Sequence, residues 1–434
     1  MRLSFHARGV YRRSRFFLTR AAWRRRLPFW SGGLAVGFAA VLLAIAADYV
    51  QAWFRDAISV SPYLSLAITP LGLGLSVALM RRYFPGSQGS GIPQAIAARR
   101  YDDAAQRTRL LSLRIAGGKI LLTLLGLLAG ASAGREGPTV QVGASIMHAV
   151  GGVWKGKHQG LILAGSAAGV AAAFNTPLAG IVFAIEEMSR SFEQRTSGLV
   201  LTTVIIAGIA SLALLGNYTY FGATAASLAR LQDWLAVPLC GVAGGLLGGL
   251  FSKLVVVMAS GKVPGRAGAL VRRHPVGFAA FCGLLVAGVG LLSGGTTYGT
   301  GYDQAKQLLE GAGRVPQSFG ILKFLATALS TVSGIPGGIF SPSLAVGAGL
   351  GANVATLLPA APAGAVVLLG MVAYFAGVVQ APITAFVIVL EMTESNAMTV
   401  PLMLTALIAY GTARFVGAPP IYHALSENFL PKQP

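Results

Sequence analysis

GKILLTLLGLLAGASAGREGPTVQVGA, residues 118–144, recurs in altered form as LKFLATALSTVSGIPGGIFSPSLAVGA, residues 322–348. An offset of 204 lays Lys119 over Lys323, Thr123 over Thr327, Gly134 over Gly338, Pro138 over Pro342 and Gly143 over Gly347. Two further matches are collinear with it. FNTPLAGIVFAIEEM (174–188) pairs with VQAPITAFVIVLEMT (379–393) at offset 205, and GSGIPQA (89–95) with GTGYDQA (299–305) at offset 210. Three collinear matches at nearly one offset predict an internal duplication, the plan of many transporters. The expected organisation is a basic N-terminal segment over 1–29, a first repeat over 30–218, a second over 219–430 and a short tail over 431–434. The residues alone leave open whether the halves run parallel or inverted.

Working outward, the setting of these repeats is apolar. Of 434 residues, 54% are hydrophobic and 11% charged, with a mean hydropathy of +0.67; soluble domains carry about 25% charged residues. Apolar runs at 33–47, 64–80, 115–131, 200–215, 234–258, 276–292 and 401–410 leave no room for a separate soluble domain, so one membrane domain is expected. The first 26 residues hold nine arginines and no acid, which predicts a cytoplasmic N-terminus. A net charge of +20 could suit nucleic acid. Yet the basic residues flank apolar runs, as at Arg81, Arg82, Arg99, Arg100, Arg272 and Arg273, which suits anionic lipid headgroups instead. Cys240 and Cys282 sit in apolar runs at no metal-ligand spacing, and the five histidines are scattered. No nucleophile and base pair, metal set or cofactor motif is present, so neither an enzyme nor a bound cofactor is expected.

The 57 glycines and 21 prolines cut many apolar runs into pieces of roughly 10 to 15 residues, short of the ~20 needed to cross a bilayer. Broken helices at membrane depth are tolerated only against protein or a polar cavity, so such a chain is expected to enclose a path. Three turns end in proline before a helical run: GSGIP (89–93), GREGP (134–138) and GIFSP (338–342). Proline suits the first turn of a helix, and glycine lets the backbone approach a ligand. Free N–H groups and the positive end of the helix dipole bind anions without a full cation that would hold them too long.

GSGIP, GREGP and GIFSP in this order, with GREGPTVQ followed by AAAFNTPLAGIVFAIEEM, resemble the CLC family of chloride channels and chloride–proton antiporters, of the prokaryotic type without CBS domains. The similarity runs from about residue 30 to the end. It implies an all-α membrane fold of broken, tilted helices in an inverted repeat, and a homodimer with one pore per subunit. It further implies that Ser90 and Tyr422 offer hydroxyl donors to chloride and that Ile339 and Phe340 offer main-chain N–H groups. Glu136 is then the gating glutamate, a tethered mimic of the anion seated on amides near Arg135 to Gly137, and Glu187 the internal proton-transfer glutamate. Relatives that behave as passive channels commonly lack an acid at that place, so exchange of chloride for protons is expected, with a passive anion channel as the alternative. Ser90 points to chloride, since nitrate-preferring relatives tend to carry Pro there. Lys119 and its partner Lys323 are candidates for raising the potential along the pore, or for snorkelling or charge-paired lysines. The departure is Ser341, where many relatives have Ala; a small polar residue is expected to be tolerated there.

Overall fold

The structure is a computed structural model that describes residues 20–154, 158–189, 194–216, 219–261, 263–311 and 315–431. Most of the expected basic segment before residue 30 and the tail residues 432–434 lie outside these. The described chain is helical and has no strand; two isolated bridges, at Gly89 and Pro336 and at Gly134 and Gly338, are its only β-like pairings.

In chain order the first half contributes α1 (Arg20–Val60), α2 (Ser65–Tyr83), α3 (Ile92–Arg100), α4 (Ala104–Leu110), α5 (Leu113–Leu128) and α6 (Glu136–Trp154). It continues with α7 (His158–Phe174), α8 (Pro177–Phe183), which runs on as a wider π turn over Ala184–Ser189, and α9 (Gln194–Leu215). The second half contributes α10 (Ala236–Ala259), α11 (Gly265–Arg273), α12 (Pro275–Leu292), α13 (Tyr302–Leu309), α14 (Phe319–Val332) and α15 (Phe340–Leu357). It ends with α16 (Ala363–Val379), α17 (Pro382–Thr393), α18 (Thr399–Phe415) and α19 (Ile421–Ser426). Among the described residues six helical stretches are long and apolar enough to cross a membrane: Arg26–Val60, Pro62–Tyr83, Ala104–Leu128, Leu231–Ala259, Pro275–Leu292 and Asn396–Phe415. The sequence places the first span near residue 30; the helix instead starts at Arg20 and passes through Pro28.

The duplication is built into the packing. α7 and α16 form the centre, with every residue from Leu161 to Phe174 and from Ala365 to Val379 buried. Apolar residues on all sides of a helix are what a position enclosed by other helices requires. α7 packs on α6, and α16 on α15. Both contacts use small residues, because lipid tails are as apolar as leucine and close backbone approach must supply the attraction. A Cβ on Gly143 would stand 2.3 Å from the Gly165 carbonyl oxygen, and one on Gly347 2.5 Å from that of Gly370; the two pairs are repeat mates.

Repeat mates also touch each other. Gly134 and Gly338 exchange N–H···O bonds, both 2.7 Å. Glu186 accepts from the N–H groups of Ile383 and Thr384 at 3.1 and 2.6 Å, while Glu391 accepts from those of Leu178 and Ala179 at 3.0 and 2.7 Å. Offsets of 204 and 205 convert each of these contacts into the other, so a pseudo-two-fold axis passes between the mates. Each glutamate, near the C-terminal end of its own segment, caps the N-terminus of the other's, so α8 and α17 lie antiparallel. Antiparallel mates are what an axis in the membrane plane generates, and the halves form an inverted repeat. Cys240 and Cys282 are free and buried.

Candidate functional site

The three glycine turns meet on this axis. Beside the Gly134–Gly338 exchange, Gly89 donates to the Ile335 carbonyl at 3.1 Å and accepts from the Gly337 N–H at 3.0 Å. α3, α6 and α15 all begin here, with Pro93, Pro138 and Pro342 in their first turns, as the spacing predicts. Gly91 precedes α3 with φ +99°, a left-handed conformation natural to glycine, and a Cβ there would fall 2.8 Å from that of Gln141. The first N–H groups of each helix have no acceptor within the helix. Three positive dipole ends therefore abut at one place with few side chains between them.

Glu136 opens α6 and is 1% exposed. Its side chain curls back over its own turn: a Cβ on Gly134 would lie 2.3 Å from Oε2. Oε1 accepts from the Ser341 hydroxyl at 2.5 Å, while Oε2 has no hydrogen-bond partner among the described residues. Arg135 turns its guanidinium away to α1, donating to the Ala44 carbonyl at 2.7 Å and to Asp48 at 2.6 Å. Only its main chain stays with that of Gly137 at the turn. The repeat places Gly137 opposite Ser341, and a Cβ on Gly137 would meet the Ser90 hydroxyl at 2.3 Å.

Ser90, Ile339, Phe340 and Tyr422 come together on the other side of the turn. The hydroxyls of Ser90 and Tyr422 are buried and face each other, and neither reaches any other group among the described residues at hydrogen-bond length. Two buried hydroxyls whose only polar neighbours are each other can turn to an acceptor that enters between them. Phe340 stacks on Tyr422 with centroids 6.0 Å apart and an interplanar angle of 16°, which fixes the tyrosine ring. A cavity of about 640 Å³ reaches this place, lined by Gln88, Gly89, Ser90, Ile339, Ile421 and Tyr422 among others. A second, of about 450 Å³, is lined by Asp48, Gln51, Arg135, Tyr220, Thr300 and Gly301 among others. Gly299 and Thr300 are the mates of Gly89 and Ser90, and Arg135 that of Ile339. The two cavities are thus related by the pseudo-axis, and Glu136 stands between the residues that line them.

Lys119 and Lys323 are fully buried, and of the readings the sequence left open, the snorkelling or charge-paired lysine does not describe them. They neither snorkel nor pair with a carboxylate. Lys119 Nζ donates to the carbonyls of Ser87 and Gly89 at 2.6 and 2.7 Å; Lys323 Nζ donates to those of Thr297 and Gly299 at 2.9 and 2.8 Å. Each lysine ties down the carbonyl side of a glycine turn, whose glycine N–H is in turn held by a carbonyl, Ile335 for Gly89 and Ala131 for Gly299.

Glu187 lies in the π turn, 2% exposed. Its neighbour Glu186 is committed to α17, and the wider turn directs Glu187 to the interior. There His423 Nε2 lies 3.6 Å from Glu187 Oε1 and 2.9 Å from its main-chain oxygen. His423 follows Tyr422 directly, so one short helix carries both a hydroxyl of the cluster and a partner of Glu187. Sequence reasoning missed His423, whose sole signal was adjacency to Tyr422, and noted Ser341 only as a tolerated departure within GIFSP, not as a partner of Glu136. No cluster of metal-ligating side chains is present among the described residues.

Residues 72–414 match the family model described as voltage gated chloride channel. The structure is similar to that of a slow cyanobacterial Cl⁻/H⁺ antiporter, with 26% identity, 94% of this chain and 99% of that one covered, and a TM-score of 0.82. It is also similar to a CLC-type fluoride/proton antiporter, at 23% identity, 94% and 99% coverage and a TM-score of 0.79. A eukaryotic CLC transporter matches at 22% identity, 92% and 74% coverage and 0.74. The last two, at such identity, speak for the fold alone.

Proposed function

The chain belongs to the voltage gated chloride channel family, and on that premise we propose that it is a secondary active antiporter exchanging chloride for protons, with Glu136 as the gate and Glu187 as the internal proton-transfer residue. The observation that carries this reading is the meeting of a buried carboxylate with two buried hydroxyls that face each other and three helix N-termini between two cavities. The 26% identical neighbour described as a Cl⁻/H⁺ antiporter supports it.

Stripping an ion of its water costs on the order of 20 kcal/mol in the Born limit. Several neutral donors must replace that water: the hydroxyls of Ser90 and Tyr422 and the amides of Ile339 and Phe340 for a central chloride, and the amides of Arg135 to Gly137 for an outer seat that Glu136 contests, its carboxylate in this structure bonding Ser341 and none of these amides. The carboxylate of Glu136 and the halide are alternative occupants of one seat. A proton on Glu136 discharges the carboxylate and frees the seat, so proton uptake and anion passage are linked. Glu187, buried beside His423, passes protons between one solvent face and Glu136 by a route separate from that of the anion. The protein works as a homodimer with a pore in each subunit, in a bacterial inner membrane with its N-terminus cytoplasmic.

The test is reconstitution in vesicles with a chloride and a pH electrode. An imposed chloride gradient drives protons uphill through the wild type, while Glu136→Gln passes chloride without protons. Chloride flux with no proton movement in the wild type identifies a passive channel instead, and proton coupling that survives in Glu136→Gln removes the gate assignment.

A further inference from the structure

We propose that Ser341 is the latch of the gate: its hydroxyl holds the Glu136 carboxylate in the anion's seat and so sets how readily chloride displaces it. The proposal deepens the reading of Glu136 as the movable acid and rests on it. Ser341 stands in the first turn of α15, a half-molecule away from Glu136 in sequence, yet its Oγ reaches Oε1 at 2.5 Å. Both residues are almost wholly buried, at 3% and 1% exposure. Serine and threonine in a helix commonly turn back on their own backbone, as Thr139 does in α6 by donating to the Arg135 carbonyl at 2.7 Å. Ser341 gives that up for the carboxylate, and among the described residues it is the one hydrogen-bond donor that the carboxylate has. The mate of Ser341 is Gly137, so the pseudo-axis supplies no such hydroxyl from α6. The latch is a one-sided feature of the second repeat.

Its effect has a definite sign. A hydrogen bond to an ionised acceptor is roughly twice as strong as one between neutral groups. Ser341 therefore favours the charged carboxylate in its seat over the protonated side chain on its way out. The other titratable groups that act on Glu136 are Arg135 on its own turn and Tyr422 on α19, which also faces Glu187; Asp48 from α1 and Tyr220 act on Arg135. Arg135 and Asp48 are already bonded to each other, and Lys119 from α5 faces the carbonyls of Ser87 and Gly89. Once the glutamate leaves, the hydroxyl faces the anion that takes its place, so its direct contribution to chloride must be measured where no carboxylate competes.

The test is a double-mutant cycle that introduces Ser341→Ala both alone and together with Glu136→Gln, read by calorimetric chloride binding in detergent and by the pH profile of chloride flux in vesicles. With Glu136 present, Ser341→Ala should tighten apparent chloride binding by about tenfold relative to its effect in the Glu136→Gln background. It should also move the pH of half-maximal flux up by about one unit. Ser341→Cys, of nearly equal volume and a much weaker donor, should shift both readings the same way. An unchanged profile and affinity in Ser341→Ala, or equal changes in both backgrounds, overturns the latch. Flux without proton movement in the wild type would sink the exchanger reading instead, and the chloride signals would still decide the latch.

Discussion

At the residue scale the cluster is defined by what its donors lack. Tyr422 is fully buried, its ring held by Phe340, yet its hydroxyl reaches no group other than that of Ser90 among the described residues. Tyr422→Phe therefore removes a hydroxyl whose one close polar neighbour is that of Ser90, while a chloride donor of this kind is worth about 1.4 kcal/mol. Chloride affinity by calorimetry should fall about tenfold with the melting temperature unchanged or slightly raised; full affinity in the variant would exclude the hydroxyl from the site. Ser90 and Glu136 stood out in the sequence because each sits in a glycine turn with its own backbone signature, whereas Tyr422 came from the family resemblance alone. Ser341 and His423 did not stand out, since their importance lies in contacts that span half the chain. Ser341 read alone is a small residue of suitable volume, and its bond to Glu136 exists only because the axis brings the starts of α6 and α15 together. The fate of Lys119 was equally hidden: a buried lysine has several outlets, and the carbonyls it takes depend on the path of the 87–89 turn.

At the scale of elements the repeat was legible and its meaning was not. Matching GREGP with GIFSP shows common descent, but a linear comparison contains no direction in space. The exchanged caps supply it: Glu186 on α17 and Glu391 on α8 each satisfy two first-turn N–H groups that have no acceptor in their own helix. A carboxylate at a helix N-terminus also meets the positive end of its dipole. Each cap should thus be worth about 1–3 kcal/mol, and symmetry makes the two equivalent in stability. Glu391→Ala and Glu186→Ala should lower the unfolding temperature in detergent by similar amounts. The functional cost should differ, because only Glu186 adjoins Glu187 and braces its π turn: Glu186→Ala should reduce the proton-to-chloride ratio, while Glu391→Ala leaves it near wild type. Equal transport ratios in the two variants would mean that the brace has no role in placing Glu187.

For the whole molecule, the question is which face a second copy covers. Exposed apolar side chains do not decide it, since Leu and Ile on every outer helix suit lipid as well as protein. The caps do. Glu186 and Glu391 lie half-exposed among Leu178 at 55% and Ile383 at 51% exposure, with Ile209 at 56% and Leu407 at 52% on α9 and α18. Carboxylates within transmembrane segments almost always face protein or a water-filled cavity, because hydrocarbon does not solvate them. The cap face, built of α8, α9, α17 and α18, is therefore the face we expect a second copy to bury in the proposed homodimer, and a self-complementary patch spanning both repeats suits a two-fold contact. Leu178→Trp together with Ile383→Trp adds bulk on either side of the caps without adding charge. Light scattering in detergent should then give the protein mass of one chain, against two for the wild type. A mass of two chains in the double variant would move the interface elsewhere and leave the two carboxylates to be explained by water reaching them from the membrane surface.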